Sequence, residues 1–348
     1  MNTQASALAS LGQLRDTATV ERSGARAAAR MLEIHTFLRD DMAAVDGELR
    51  RLARDGISPA TDAALHLLDG GGKRVRPLAV LLSAACWGPV PEAARDAAVV
   101  AELVHLATLL HDDVMDEGTE RRGRATPRMK WGNAVSVLAG DLLLTHALER
   151  TARTAPGRVL GELFETLRQL VDGEVVQLRG RVELEIREDV YFRIVRGKTA
   201  SLFSWAARAG AAIAGAPAAV VDGLGDFGGR VGIAFQLVDD VLDFEGDPSV
   251  MGKNLLGDLG EGKLTLPLIR TLAAFPESIG DVEAAGAGDS SAAERVVRAV
   301  HASGACHAVR MQAREETSHA LSALDVVPPS RARDMLAGIA QELVARRG

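Results

Sequence analysis

Apolar residues recur along most of this chain at the three- and four-residue spacing of a helix. Met31, Ile34, Leu38, Met42, Val45, Leu49 and Leu52 mark one such face, and the pattern predicts a helix from Met31 to Ala53. A second helix is expected from Pro59 to the glycine run Gly70, Gly71 and Gly72. Leu78 to Trp87 and Ala93 to Leu110 are almost continuously apolar. A helix that is apolar on every side belongs at the centre of a fold. Further helices are expected from Trp131 to Leu148, Val159 to Leu178, Arg193 to Gly210, Gly223 to Phe244 and Arg295 to Val344, the last peripheral from Ser318 onward. Glu277 to Ala293 is rich in Gly, Ala, Ser and Asp and reads as a surface connection. Nothing alternates with strand period over a useful length. Residues 1–30 have weak periodicity and read as a flexible tail. The pattern therefore predicts an all-α fold in a single domain over 31–348.

Composition narrows the class. Of the 348 residues 47% are hydrophobic and only 3% aromatic, so the core must be built from Ala, Leu and Val, which favours helices. A net charge of −7 argues against a nucleic-acid surface. Cys86 and Cys306 match no metal spacing and read as buried thiols of a reducing compartment. No apolar run reaches the ~18 residues of a membrane span. The N-terminus has no signal-peptide core, and Asp16 and Glu21 count against a transit peptide. A cytoplasmic protein is expected.

The chemistry-bearing residues cluster after the central apolar run. Asp112 and Asp116 share one helix face, with Asp113 about 100° away. Like charges at that spacing cost a few tenths of a kcal/mol, ~0.2–0.5, so a cation nearby is expected. All-oxygen ligands suit a hard ion such as Mg²⁺. A solvated acidic helix end would look the same, but the spacing recurs at Asp239, Asp240 and Asp243. Lys73 and Arg76 follow the three glycines; a flexible loop with fixed cations fits a diphosphate, and equally a helix C-cap with a basic turn. His105 lies two turns before Asp112, as a ligand donor or a satisfied core histidine. Arg121 and Arg122 follow the first cluster as salt-bridge partners or anion contacts. Lys198 with Thr199 sits in an apolar helix, where a lysine either snorkels or meets a phosphate. Lys253 and Lys263 lie in glycine-lysine loops. That is more cationic capacity than one phosphate needs, so two phosphorylated substrates are expected. No Ser/His/Asp or Cys/His nucleophile and no GxxxxGK[ST] loop is present. Metal ions acting as Lewis acids, beside apolar walls that include Leu103, Ala107 and Leu110, describe ionisation of an allylic diphosphate.

Five segments resemble the trans-isoprenyl diphosphate synthases of the polyprenyl synthetase family: GGKRVRP at 71–77, HLATLLHDDVMDEGTERRG at 105–123, GKTA at 197–200, FQLVDDVLD at 235–243 and GKNLLGDLGEGKLTLP at 252–267. The resemblance covers most of the chain from about residue 35. It implies the isoprenoid synthase fold, roughly a dozen helices around a central cavity, in a homodimer. Two or three Mg²⁺ ions bound with diphosphate are implied, held by Asp112, Asp116, Asp239, Asp240 and Asp243. Asp112, Asp113, Asp116, Lys198, Asp239 and Asp240 are the implied catalytic residues. Lys73, Arg76, His105 and Arg122 would hold isopentenyl diphosphate; Arg121, Lys198, Thr199, Gln236, Lys253 and Lys263 would hold the allylic partner. The implied reaction loses diphosphate to give an allylic cation, attacks it with the isopentenyl double bond, and releases a proton to the departing diphosphate. Greasy products add an expected peripheral membrane contact for release.

Product length follows from the helix before Asp112. Thr108, Val104 and Ala101 lie one, two and three turns back, with Ala107 beside them. None is aromatic, and in this family an aromatic there typically stops growth. No two-residue insertion separates Asp113 from Asp116. A medium- or long-chain product of five or more isoprene units (C25 or longer) is expected, with a short-chain farnesyl or geranylgeranyl synthase as the alternative. A class I terpene cyclase would carry an Asn/Ser/Glu metal motif instead of the second aspartate cluster, and a non-catalytic partner subunit would have lost acids or basic clamps.

Overall fold

The computed structural model describes residues 29–245 and 256–346. Helical residues 29–37 lead through a turn at Leu38 into α1 (Arg39–Ala53), then α2 (Ala60–Asp69), α3 (Val75–Ala85) and α4 (Glu92–Met115). A two-residue hairpin follows, β1 (Glu120–Arg121) against β2 (Arg124–Ala125), antiparallel with Glu120 opposite Ala125. Next come α5 (Pro127–Trp131), α6 (Asn133–Thr154), α7 (Gly157–Glu183), α8 (Glu188–Val195), a π turn at Arg196–Ala200, α9 (Ser201–Ile213) and α10 (Ala218–Glu245). The chain closes with α11 (Gly257–Gly260), α12 (Leu266–Ala274), α13 (Ile279–Gly286), α14 (Ser290–Ser303), α15 (Ala305–Ala323) and α16 (Arg331–Ala345).

The all-α expectation holds, and α4 is central, packing along α6, α3, α9 and α1. Its small residues Ala94, Ala97, Ala98, Ala101 and Ala107 are all buried. Helix α10 lies between α9 and α15. Close approach is bought with glycine at two crossings. A Cβ on Gly210 would stand 2.1 Å from the Val80 carbonyl oxygen, and one on Gly228 would stand 2.4 Å from that of Phe203. The α3–α9–α10 layer therefore packs backbone to backbone. A larger hydrophobic cluster fills the space among α1 to α4, α6, α9 and the first half of α10; a smaller one joins α8, the second half of α10, α12, α14 and α15. The functional cavity opens where the two clusters meet.

Several boundaries differ from the sequence reading, each for a local reason. The Met31 to Ala53 pattern is interrupted at Leu38. The Trp131 to Leu148 helix breaks at Gly132, whose φ of 85° a helix cannot accept. Glu277 to Ala293 is no mere surface connection: it holds α13, with Val282 buried, and the start of α14, where Asp289 accepts hydrogen bonds from the N–H groups of Ser291 and Ala292. Its Gly, Ala and Ser content hid two short amphipathic faces. The chain beyond Ser318 is not peripheral either, because α16 buries Met335, Leu336, Ile339 and Leu343 and packs on α3 and α10. Of the tail expected over residues 1–30, residues 1–28 lie outside the described residues, as does Lys253, while Ala29 and Arg30 are not tail but the start of the first helix. Among the described residues no helix is long and apolar enough to cross a membrane.

Candidate active site

A cavity of about 340 Å³ opens between α4, α7, α8, the π turn and α10. That is within the usual ~300–1,000 Å³ of ligand sites. Asp112 from α4 and Asp239 and Asp240 from α10 line it, with Arg76, His105, Thr108, Arg121, Lys198, Thr199, Gln236 and Lys263. Leu109, Val190, Ile194, Phe235, Leu264 and Ile269 make its apolar wall. Most of the residues singled out from sequence thus converge on one space.

The π turn explains how Lys198 and Thr199 arrive there. The turn is widened by one residue, as is frequent at functional sites, and both side chains line the cavity. Gly197 allows it: a Cβ there would come within 2.7 Å of the Gln169 carbonyl oxygen on α7. Lys198 Nζ pairs with Glu174 and stands 3.9 Å from Asp112 Oδ2. Thr199 Oγ1 donates to Gln236 Oε1 at 3.0 Å, and Gln236 Nε2 donates to Asp240 Oδ1 at 2.9 Å.

The first acid cluster is met by cations. Arg121 Nη2 lies 2.7 Å from Asp113 Oδ1. Asp116 pairs with Arg181 through Oδ1 and with Lys263, at 2.6 Å, through Oδ2. Burial raises the Asp116 carboxyl, but Lys263 and Arg181 outweigh it and hold it below its ordinary value. Burial pushes Asp112 up to about 6, with Lys198 only partly offsetting it, and raises Asp113 despite Arg121. On the other wall, burial and the nearby Asp258 push Asp240 up to about 7, although Tyr191 and Gln236 donate to it. The Tyr191 hydroxyl donates to Asp240 Oδ2 at 2.5 Å. His105 is held well below its ordinary value by burial and then by Arg76, so it is neutral and free to donate a hydrogen bond.

The donor set fits a divalent cation. Asp113 Oδ2 is buried with no hydrogen-bond partner among the described residues, and Asp112 and Asp240 are costly to ionise until a positive charge stands beside them. Among the described residues no three His, Cys, Asp or Glu side chains lie close enough together to hold an ion by themselves.

Other expected residues stand off the cavity. Asp243 Oδ1 accepts from the Gly257 N–H at 3.1 Å and ties α10 to α11. Lys73 is exposed, and Arg122 lies over Gly72, in a crevice with His66 and Arg124. Of the chain-length residues only Thr108 lines the cavity; Ala101, Val104 and Ala107 are packed in the larger core behind it. Sequence reasoning missed four participants. Arg74 Nη1 pairs at 2.6 Å with buried Glu102 and fastens the glycine loop to α4. Arg346 Nη2 lies 2.7 Å from Asp239 Oδ1, its guanidinium 4.6 Å over the Phe235 ring. The others are Arg181 and Tyr191. Two carried a signal: Arg74 lies inside the GGKRVRP segment, and Tyr191 is the single tyrosine of the chain.

Residues 58–302 match the family described as Polyprenyl synthetase. The chain is 36% identical to octaprenyl diphosphate synthase of Escherichia coli (strain K12) over 318 residues, 90% of this chain and 98% of that one. The structure resembles that of a polyprenyl synthase from Caulobacter crescentus CB15 complexed with calcium and isoprenyl diphosphate, with a TM-score of 0.86 and 34% identity over 91% of this chain and 98% of that one. A decaprenyl diphosphate synthase from Rhodobacter capsulatus superposes with a TM-score of 0.85 at 36% identity, covering 91% and 99% of the two chains.

Proposed function

The chain belongs to the polyprenyl synthetase family, and from that premise we propose that it condenses isopentenyl diphosphate with an allylic diphosphate to build an all-trans polyprenyl diphosphate of five or more isoprene units. It is a prenyltransferase. The observation that carries the reading is the placement of Asp112 and the Asp239–Asp240 pair on one cavity with Arg76, Lys198 and Lys263. Mg²⁺ bound there would supply Lewis acidity to the departing diphosphate. Asp112, Asp113 and Asp116 on one side, and Asp239, Asp240 and Asp243 on the other, would hold it.

Lys198, Arg121 and Lys263 neutralise the allylic diphosphate, and Thr199 with Gln236 orients it. Arg76 and neutral His105 hold isopentenyl diphosphate, with Lys73 and Arg122 closing from the rim. Leu109, Ile194 and Phe235 keep water from the reacting carbons. The growing tail passes Thr108 and then parts the packing at Ala107, Val104 and Ala101. The protein works in the cytoplasm as a homodimer and touches a membrane surface only to release product.

Incubation with Mg²⁺, isopentenyl diphosphate and each allylic primer in turn, with the products sized, tests this. Chains of C25 or longer are expected. Farnesyl or geranylgeranyl diphosphate alone would make it a short-chain enzyme. Hydrocarbon formed without isopentenyl diphosphate, or turnover only with a second subunit, would overturn the reading. Ala107→Phe should shorten the product; an unchanged distribution removes the path along α4.

A further inference from the structure

Arg181 stands near the end of α7, and neither a motif nor a helical pattern marks it. Its Nη2 is paired with Asp116 Oδ1, its Nη1 points at the Met115 carbonyl at 3.4 Å, and its Nε is buried with no hydrogen-bond partner among the described residues. Gln177, one turn earlier, with its amide oxygen turned to the two cations, accepts from Lys198 Nζ at 3.2 Å and Arg181 Nη2 at 3.1 Å. Lys263 occupies the other Asp116 oxygen. Both oxygens of this carboxylate are therefore taken by the protein's own cations.

A divalent ion that takes Asp116 places like charge against Arg181 and displaces it. The guanidinium cannot go far. Its stem lies against Gly262, and Gly180, Gln177 and Gly262 all line the cavity. Arg181 is not itself on the cavity wall; once released, its planar fork of donors, one of them unused, has only to swing past Gly180 and Gly262 to reach the space where a diphosphate would sit, with the geometry that binds phosphate oxygens in pairs.

We propose that Arg181 is a further allylic-diphosphate ligand, parked on Asp116 until a divalent ion claims that carboxylate. This rests on the prenyltransferase reading of the cavity.

Calorimetric titration of the parent, Arg181→Gln and Arg181→Lys proteins, with Mg²⁺ alone and then with inorganic diphosphate in excess Mg²⁺, tests it, together with KM for both substrates. In Arg181→Gln, Mg²⁺ alone should bind more tightly, while diphosphate should bind about tenfold more weakly, the worth of one charge-assisted hydrogen bond. KM should rise for the allylic substrate and stay put for isopentenyl diphosphate, and Arg181→Lys should recover part of the loss. Unchanged diphosphate affinity in a variant that melts like the parent overturns the proposal, as does an equal rise in both KM values. A parent protein that binds no diphosphate overturns the reading of the site itself.

Discussion

Asp113 and Asp116, at the end of α4, pair with guanidinium and ammonium groups reaching in from β1, α7 and the loop before α12. Asp240 and Asp243, on α10, accept instead from a phenol, a side-chain amide and a backbone N–H. Asp116 of the first cluster is thus kept ionised by its own counter-cations, while the second contains a carboxyl, Asp240, poised near neutrality. Two runs of aspartates that look alike in sequence therefore differ in what holds Asp116 and what holds Asp240. The cations on Asp113 and Asp116 must be moved before metal binds there; on α10 Arg346 must leave Asp239, while Asp240 gives up neutral donors and a proton.

The largest way to break this comparison is to neutralise one acid in each cluster. Asp116→Asn and Asp240→Asn should both lose turnover by ~10²-fold or more, as lost preorganised charge usually does. Only Asp116→Asn should also lose about 3 kcal/mol of stability, because it takes the carboxylate from Arg181 and leaves Lys263 with Glu261 alone. Urea unfolding of the two variants checks this, and equal stability loss would erase the distinction. A middle-sized effect is expected from Tyr191→Phe, which leaves the buried Asp240 Oδ2 without its donor at a cost of about 1–3 kcal/mol. A melting temperature equal to the parent's would show that this hydrogen bond carries no weight.

The smallest effect concerns pH. Asp240 has a folded-state value of about 7 against an ordinary 3.8, so its protonated form stabilises the fold, fully below the ordinary value, and that stability is lost as pH rises through about 7. In chelator, the parent should therefore lose about 1 kcal/mol relative to Asp240→Asn between pH 6 and pH 8. Added Mg²⁺ with diphosphate should remove the trend. A difference that is flat, or that runs the other way, contradicts the poised carboxyl.

Much of the site was legible because its residues lie in local patterns. The doubled aspartate spacing, the apolar approach to it, and Lys198 beside Thr199 could each be seen within a few residues. What escaped acts across distance. Arg346 meets Asp239 from 107 residues away, Arg181 meets Asp116 from 65, and Tyr191 meets Asp240 from 49. No period or spacing records such pairings; they exist only once α7, α8 and α16 have docked. The same holds for the fold. Long helices with a clear apolar stripe were found, and α13 was missed because one buried valine gives too little periodicity to see. Nothing in the sequence pattern singles out Gly210 or Gly228, although they are what lets α3, α9 and α10 touch.

The turn at Arg196–Ala200 makes chain length a functional variable. A residue removed there would convert a wide turn to an ordinary one and rotate everything downstream by about 100°. Either Lys198 would leave the cavity or the buried Trp205, whose indole N–H is held by the Val159 carbonyl at 3.1 Å, would leave the core. Both flanking helices would still look faultless as sequence. Between Glu188 and Ile213 the number of residues is therefore as tightly specified as their identity, and a one-residue deletion is expected to do more harm there than most substitutions.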